Sequence, residues 1–317
     1  MADSAPTVTR QLFLDVETSV LRVVRGNPGA VRMALSAMLA RGHLLLEDVP
    51  GVGKTTLARA LARVLGVGFS RVQFTADLLP SDLIGTPILD PREGTLRFKK
   101  GPLFTNVVLA DEINRASPKT QSALLEAMAD ASVSVDDVTH DLPRPFHVLA
   151  TQNPIEHHGA YPLPESQLDR FIVCLSLGYP PAADERALLT ENVTSERSLS
   201  ELKPLLDSVQ LAAAQMHVAA LTLNDVVAGY VLALVHATRN HPEVELPCSP
   251  RGSLAWASIC RARAFLDGRT FVVPDDVKAT AHAVLAHRLG IRGAVTQSRR
   301  RANAVIDEIL GSVPVPR

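Results

Sequence analysis

Residues 47–56 read Glu-Asp-Val-Pro-Gly-Val-Gly-Lys-Thr-Thr, a combination suited to binding phosphate. An apolar run at 43–46 precedes them, and Leu57, Leu61 and Leu65 follow at helical spacing. In such a strand–turn–helix setting, backbone N–H groups and the positive end of the helix dipole face one anion. The candidate nucleotide-binding residues are Asp48, Val49, Pro50, Gly51, Val52, Gly53, Lys54, Thr55 and Thr56.

Within this loop, Lys54 would reach the β- and γ-phosphates of a nucleotide, and the Thr55 hydroxyl would ligate Mg²⁺. The usual pattern, G-x-x-x-x-G-K-[ST], has a glycine where this chain has Asp48. That substitution could place a carboxylate near the phosphates. A chance glycine turn is the alternative, and Gly51 and Gly53 in this setting argue against it.

A second candidate group is the acidic pair Asp111-Glu112, which follows a predicted buried strand at 106–110. Ligands of open α/β sheets bind at the carboxyl ends of the strands. Asp111 would hold Mg²⁺, and Glu112 would polarise the water that attacks the γ-phosphate. Asn153, just past another predicted strand at 145–151, could orient that water. The alternatives are a surface charge pair and an ordinary turn residue.

The remaining pattern predicts the elements that position these residues. Two helices, at 8–25 and 31–39, precede the first strand. Hairpins are expected at 86–98 and around a strand at 133–138, with 140–144 as its turn region. The basic residues Arg97, Lys99 and Lys100 are expected to form a solvated surface, with a ligand-facing patch as the alternative. A helix is expected to start at Ser117-Pro118. The predicted core strands are 43–46, 70–75, 106–110, 145–151 and 171–175.

The second half of the chain is predicted to be helical, with Gly178-Tyr179-Pro180-Pro181 as the linker. We therefore expect domains at 1–180 and 181–317. The segment 194–200 is expected to be a loop. The arginines at 299–301 are expected to form a solvated patch, with a partner contact as the alternative. Arg251 opposes the dipole of its helix by about 0.3–1 kcal/mol, which suggests a functional role. The predicted helices are 183–193, 201–218, 223–240, 250–267 and 274–289.

Composition narrows the function classes. The 317 residues are 46% hydrophobic and 21% charged, with a net charge of −1, so no global basic field attracts nucleic acid. Three scattered cysteines suit a reducing cytoplasm. No run of about 18 apolar residues and no signal-peptide pattern are present, so neither a membrane span nor secretion is expected. His157-His158 is expected to be an exposed pair rather than a metal site.

The motifs together resemble those of the AAA+ ATPases and, within them, the MoxR family. The matching stretches are GHLLLEDVPGVGKTT, the strand ending in DEINRAS, ATQNP, YPLPESQLDRF and CSPRG, and they span residues ~20–290. The resemblance implies an α/β core, a five-stranded parallel sheet of order 5-1-4-3-2 with two inserted hairpins, and a C-terminal helical lid. It matches Asn153 to sensor 1, Arg170 to the arginine finger and Arg251 to sensor 2. Whether Arg251 contacts the nucleotide of its own subunit or of a neighbour stays open, and a solvated arginine is the alternative. The chain departs from the family pattern at Asp48 and at Asn27-Pro28, where relatives often carry Gly-Gln.

The same resemblance implies an ATPase that uses Mg²⁺ and assembles into a ring, expected to be hexameric. Arg170 would then reach the neighbouring subunit's site, where an arginine finger contributes about 10³–10⁵ in rate. An ion pair with Asp169 or Glu165 is the alternative role for Arg170. The family implies a chaperone-like role with a protein client and a partner that carries a von Willebrand factor A domain.

Three other functions remain open from the sequence. They are a nucleic-acid-remodelling AAA+ ATPase, the ATPase subunit of a metal chelatase, and an ATP-gated assembly scaffold with little turnover. The near-neutral charge argues against the first, and Glu112 with Arg170 argues against the last.

Overall fold

The computed structural model describes residues 9–92, 94–153, 161–190, 195–293 and 298–316. The strands are β1 His43–Glu47, β2 Phe69–Gln73, β3 Gly85–Leu89, β4 Leu96–Lys100, β5 Val107–Asp111, β6 Ser132–Val135, β7 Val138–Asp141, β8 His147–Gln152, β9 Phe171–Leu175, β10 Val244–Leu246 and β11 Gly290–Ile291. Five of them form a parallel sheet in the order β2-β5-β8-β1-β9. With the core strands numbered along the chain, this is the predicted order 5-1-4-3-2, which is confirmed.

Helices cover both faces of this sheet. They are α1 Arg10–Leu21, α2 Pro28–Leu39, α3 Lys54–Val64, α4 Pro80–Ile84, α5 Pro118–Asp130, α6 Glu165–Leu168, α7 Ala182–Thr190, α8 Ser195–Glu201, α9 Ser208–Ala219, α10 Asp225–Asn240, α11 Pro250–Leu266, α12 Pro274–Leu285 and α13 Ser298–Ser312. Side chains of α4 and α5 belong to the apolar cluster on one face. Side chains of α1, α2 and α3 share a larger cluster with the C-terminal helices. One continuous apolar core therefore joins the sheet to the helical half.

The helical half follows the predicted pattern with three exceptions. The helix predicted at 201–218 begins only at Ser208, and residues 202–207 are not helical. The segment expected to be a loop contains α8, whose Leu199 is buried. Arg63 of α3 holds this region by donating to the carbonyls of Leu202, at 2.7 Å, and Ser200, at 2.9 Å. The basic segment at 299–301 opens a further helix, α13, whose apolar side packs into the larger cluster. The predicted domain boundary at residue 180 stays a prediction, and it falls in the extended segment between β9 and α7.

Two hairpins extend from the core. The first, β3–β4, lies where the sequence predicts it. The second was placed wrongly: its turn is Asp136-Asp137, with φ angles of 48° and 62°, and His140 lies in β7 rather than in a turn. Aspartate tolerates the left-handed region better than most residues, which allows a two-residue turn here.

The two hairpins contact each other through aromatic rings. Phe98 of β4 stacks on His140 of β7, with ring centroids 4.1 Å apart and planes within 10°. Phe104 meets Phe98 edge-on at 5.7 Å, and the Lys100 ammonium lies 5.1 Å from the centre of the Phe104 ring. Stacked and edge-on rings attract beyond the area they bury, so the hairpins support each other.

None of the helices in the described part of the chain is long and apolar enough to cross a membrane.

Candidate active site

The phosphate loop leads from β1 into α3, and two glycines give it its shape. Gly51 has φ 87° and Gly53, the N-cap of α3, has φ 98°. A Cβ at either position would meet nothing within 4 Å, so glycine is needed for the backbone conformation and not for space. The free N–H groups at the start of α3 therefore face the concave side of the loop, where an anion is stabilised.

A cleft of about 370 Å³ opens above this loop at the carboxyl ends of the strands. Among the predicted residues, those that line it are Pro50, Gly51, Gly53, Lys54, Thr55, Thr56, Asp111, Glu112 and Asn153. The structure also brings in Arg71, Gln73 and Thr151. Lys54 Nζ donates to the carbonyls of Asp48, at 2.6 Å, and Val49, at 3.2 Å. Loop, acidic pair and Asn153 thus share one cleft, as the sequence predicts.

Thr151 organises the acidic pair. Its hydroxyl donates to Asp111 Oδ1 at 2.6 Å and accepts from the Glu112 backbone N–H at 2.9 Å. Thr151 is 1% exposed, and its bond to Asp111 is buried. A single hydroxyl at the end of β8 therefore fixes both the Asp111 carboxylate and the backbone that carries Glu112.

Glu112 has an unusual backbone, with φ 57° and ψ 51°. A non-glycine residue in this left-handed region costs about 1–3 kcal/mol and persists where its surroundings hold it. Its carboxylate accepts from Gln73 Nε2 at 2.8 Å and from Arg115 Nη1 at 3.0 Å. The strained turn and its two partners place Glu112 at the cleft, as expected for a group that polarises water.

The sequence did not predict Arg71 and Gln73 as site residues, because each is a single polar residue on an edge strand. They alternate with Val72, which is 8% exposed, and this alternation shows that both side chains lie on one face of β2. Because β2 pairs with β5, that face reaches the acidic pair. The period-two pattern at the carboxyl end of β2 was the available signal. Thr151 had none beyond its place at the end of a predicted strand.

The Asp48 carboxylate does not lie near the phosphate site, contrary to the expectation from the sequence. The side chain is buried, and its Oδ2 accepts from Ser176 Oγ at 3.1 Å and from the N–H groups of Leu177, at 2.5 Å, and Gly178, at 3.1 Å. These donors follow β9 and lie outside the cleft lining. Val49 and Val52 do not line the cleft either, although the Val49 carbonyl contacts Lys54.

Arg170 lies apart from the phosphate cleft. It lines a second cavity, of about 310 Å³, formed mainly by α5, and its Nη1 donates to the Leu125 carbonyl at 2.5 Å. Asp169 pairs with Arg288 at 2.8 Å. Among the described residues, the expected alternative of an ion pair between Arg170 and Asp169 or Glu165 is not formed. The candidate finger and the cleft of its own chain are separate sites.

Arg251 is also outside the phosphate cleft and is exposed. Ser249, the N-cap of α11, donates to Asp169 Oδ2 at 2.9 Å. This contact sets the start of α11, and Arg251 with it, beside the segment that carries Arg170. His157 and His158 lie outside the described residues.

Arg299 corrects the expectation of a solvated basic patch. Its Nη1 lies 2.5 Å from Glu47 Oε2, and its Nη2 donates to the Cys174 carbonyl at 2.9 Å. Glu47 also accepts from Gln152, the neighbour of Asn153. The last helix therefore contacts the strand that enters the phosphate loop.

The cleft fits a magnesium ion. Thr55 offers a hydroxyl and Asp111 a carboxylate on the same lining, and Mg²⁺ prefers oxygen ligands while keeping waters and phosphate oxygens. The glycine loop lies at a helix N-terminus, the carboxylate pair lies at the end of β5, and an amide follows β8. Together they define the site of a P-loop nucleoside triphosphatase. The strand order and the helical lid place it in the AAA+ class.

Comparisons with known proteins agree with the assignment to the AAA+ class. Residues 43–173 match the family model "ATPase family associated with various cellular activities (AAA)", and 236–309 match an AAA lid domain. The chain is 45% identical to YeaC of Bacillus subtilis, covering 93% of this chain and 92% of that protein. It is 39% identical to Chaperone MoxR1 of Mycobacterium tuberculosis, covering 100% and 84%.

The fold is also found in a crystal structure of a Cytophaga hutchinsonii protein to which ATPase function has been provisionally assigned. The two share a TM-score of 0.87 and 34% identity, over 97% of this chain and 96% of that chain. The chain belongs to the MoxR family of AAA+ ATPases.

Proposed function

We propose that this ATPase depends on Mg²⁺ and hydrolyses ATP in a closed ring, expected to be a hexamer, whose active sites are completed by neighbouring subunits. The supporting observation is the separation of Glu112 from Arg170, each lining a different cavity of the same chain. A second copy that presents its Arg170 to the cleft would bring the two together. This arrangement is what the resemblance to the family implies.

In this mechanism the N–H groups of the loop and Lys54 bind the β- and γ-phosphates. Mg²⁺, held by Thr55 and Asp111, would neutralise charge on the phosphate oxygens when bound. Glu112 accepts a proton from the attacking water, which Asn153 orients. Glu112 is carried on a backbone that Thr151 fixes, so the base is positioned before substrate arrives.

Arg170 would stabilise the charge that develops on the γ-phosphoryl oxygens of the neighbouring subunit. Arg251 is proposed to contact the same neighbour's phosphates, because the Ser249–Asp169 contact holds it on the Arg170 side. Both arginines would then act between subunits, and an isolated subunit would hydrolyse ATP poorly.

Mixing two inactive variants tests this arrangement. Glu112→Gln loses the base but keeps Arg170, and Arg170→Ala keeps the base but loses the arginine. Each variant alone should bind a fluorescent ATP analogue with little turnover. Mixed rings contain sites with Glu112 from one subunit and Arg170 from the next, so ATPase activity should reappear to a measurable fraction of the wild-type rate.

The matched control mixes Arg170→Ala with the double variant Glu112→Gln/Arg170→Ala, a mixture in which no site can be complete. Recovery in that control, or full activity of Arg170→Ala alone, would contradict the shared-site proposal. Size-exclusion chromatography with light scattering on the same samples reports the ring size.

The work done by this ATPase is proposed to be chaperone-like, in the maturation, assembly or cofactor insertion of cytoplasmic proteins. A relative carries the name Chaperone MoxR1, and the resemblance implies a partner with a von Willebrand factor A domain. The free, buried cysteines suit a reducing compartment. Affinity capture with Glu112→Gln in ATP, compared with ADP, should enrich such a partner and a protein client only in the ATP state.

The three alternative functions named from the sequence predict different experimental results. A DNA-stimulated rate that falls with rising salt would favour nucleic-acid remodelling. Wild-type turnover as slow as that of Glu112→Gln in a single-turnover assay would favour a scaffold. Capture of a chelatase subunit in place of the predicted partner would favour the chelatase role.

A further inference from the structure

Asp48 accepts hydrogen bonds from two different parts of the molecule. Its backbone carbonyl accepts a hydrogen bond from Lys54 Nζ at 2.6 Å. Its carboxylate accepts three hydrogen bonds from residues 176–178, at 3.1, 2.5 and 3.1 Å. One residue at the start of the phosphate loop therefore contacts both the lysine that would bind phosphate and the segment that leaves the sheet.

That segment, residues 176–181, runs from the end of β9 to the start of α7, and we name it the hinge segment. It is held from a second side. Asn27 Nδ2 lies 3.5 Å from the Ser176 carbonyl and 3.4 Å from the Leu177 carbonyl. A Cβ on Gly26 would lie 2.8 Å from Pro180 Cα, so the two backbones are in close approach. The hinge segment is thus clamped between Asp48 and the turn before α2.

Breaking the Asp48 contacts would be costly, because a buried carboxylate would be left without hydrogen-bond donors. Asp48 is 8% exposed, and Leu177 is 5% exposed. Hydrogen bonds from N–H groups to a carboxylate are about twice as strong as neutral ones. If the hinge segment moved alone, a buried carboxylate would lose its donors, which is heavily penalised. A displacement of Asp48 and one of the hinge segment are therefore coupled.

We propose that Asp48 is a positioning residue that relays nucleotide occupancy of the phosphate loop to the hinge segment, and through it to the helical half. The inference rests on the proposed function, since a triphosphate has to draw Lys54 toward its own oxygens. Lys54 then leaves the Asp48 carbonyl, and the carboxylate of the same residue transmits the change to Leu177 and Gly178. The residue at the first-glycine position of the loop pattern is thereby a coupling element rather than a phosphate ligand.

Hydrogen–deuterium exchange of the Leu177 and Gly178 amides tests the contact directly, in the full chain without nucleotide. Asp48→Gly restores the ordinary loop residue and removes the acceptor, so exchange of both amides should accelerate at least tenfold. Asp48→Asn keeps the volume and one acceptor, and should give an intermediate rate. The control Ser176→Ala removes the side-chain donor alone and should leave both amides protected. Unchanged exchange in Asp48→Gly and Asp48→Asn would overturn the proposal.

The relay itself is tested by repeating the exchange with saturating Mg²⁺ and a slowly hydrolysed ATP analogue. The wild type should change its exchange at both amides at least threefold, and Asp48→Gly should show no such change; if that variant does not bind or fold, Asp48→Asn, with a reduced response, replaces it. A response that persists unaltered in the variant, or a wild type that binds without responding, would overturn the relay alone. Failure of the wild type to bind a fluorescent ATP analogue would overturn the proposed function, and the relay with it.

Discussion

Arg71 and Asp111 face each other across neighbouring strands, with Arg71 Nη2 2.7 Å from Asp111 Oδ2. The carboxylate that would hold Mg²⁺ is therefore paired with a cation from β2. A metal ion and a guanidinium compete for the same oxygen, and the arginine also repels a divalent cation.

Replacing Arg71 should therefore change the requirement for magnesium. Half of the Arg71 side chain is exposed, and such ion pairs contribute about 0.2–1 kcal/mol. We expect Arg71→Met to lower the Mg²⁺ concentration for half-maximal ATPase activity by up to about fivefold, because Asp111 is released. A magnesium titration of the steady-state rate measures this. Arg59→Met, which removes an arginine paired with Glu196 outside the cleft, is the control. An unchanged or raised requirement would contradict the competition.

Removing the Thr151 hydroxyl should reduce turnover while the fold is kept. Thr151→Val is isosteric but leaves Asp111 and the Glu112 N–H without their shared partner. Hydrogen bonds to charged groups contribute about 1.5–3 kcal/mol, which corresponds to a loss of roughly 10- to 100-fold in kcat if the positioning is fully needed. Thr151→Ser keeps the hydroxyl and should recover most of the rate. Equal rates for the valine variant and the wild type would show that Glu112 is positioned by other contacts.

Removing one partner of the Asp169–Arg288 pair should strongly destabilise the protein. The Arg288 side chain is 2% exposed, and it donates to Asp169 Oδ1 at 2.8 Å and to the Phe171 carbonyl at 2.6 Å. Breaking a buried pair from one side costs about 3–5 kcal/mol because the other charge is left alone. We expect a loss of that order for Arg288→Met in urea unfolding. The double variant Arg288→Met/Asp169→Asn should lose less, and a loss equal to or greater than that of Arg288→Met would argue against the charge pair as the cause.

Two buried histidines, His43 and His147, are held neutral. His147 Nδ1 donates to the Gly42 carbonyl at 3.0 Å, so its Nε2 is left to accept from Gln215 of α9 at 3.0 Å. Burial lowers the pKa of His147 to about 4. Burial, with the nearby His147, lowers the pKa of His43 to about 3. His43 Nε2 donates to the Met128 carbonyl and its Nδ1 accepts from the Val148 N–H, each at 3.0 Å. A second proton on either ring would therefore remove the nitrogen that accepts a hydrogen bond.

Stability should therefore fall with acid in a defined window. As pH drops below the ordinary histidine pKa of about 6.5, the unfolded chain binds protons that the folded chain cannot bind until about pH 4. Above pH 6.5 the two histidines do not change the free energy of unfolding. Below pH 6.5 each of them lowers it by up to about 1.4 kcal/mol per pH unit. Unfolding free energies at pH 7.5, 6.0 and 5.0 measure the slope. His147→Asn should make it shallower and exposed His236→Gln should not; a flat profile would contradict the assignment.

The phosphate loop and the acidic pair could be predicted because each is a contiguous motif that follows an apolar run. Arg71 and Thr151 were not predicted, because each is a single residue brought to Asp111 by strand pairing across 40 positions. For Arg71, its alternation with Val72 on the strand beside β5 was a usable signal. Glu47 and Arg299 are 252 positions apart, and no local pattern joins them. Such side chains are found only when the predicted strand order is combined with the period-two pattern of each neighbouring strand.

Other errors came from weak local signals. The turn at Asp136-Asp137 was missed because Val133 and Val138 suggest one strand, whereas two left-handed aspartates break it. Helix α13 was not predicted because the arginines at 299–301 are typical of a solvated surface. The helical signal is carried by Ala302, Val305 and Ile309, which are buried at helical spacing.

The apolar core that spans the sheet and the helical half has a practical consequence for dissecting the protein. Trp256 of α11 and Phe13 of α1 belong to the same cluster, and both are fully buried. A truncation that stops near residue 180 would expose the surface of α1 and α2 against which α11 packs. Fragments produced by cleavage at that point would aggregate through this exposed apolar surface. Co-expression of the two fragments would keep both in solution.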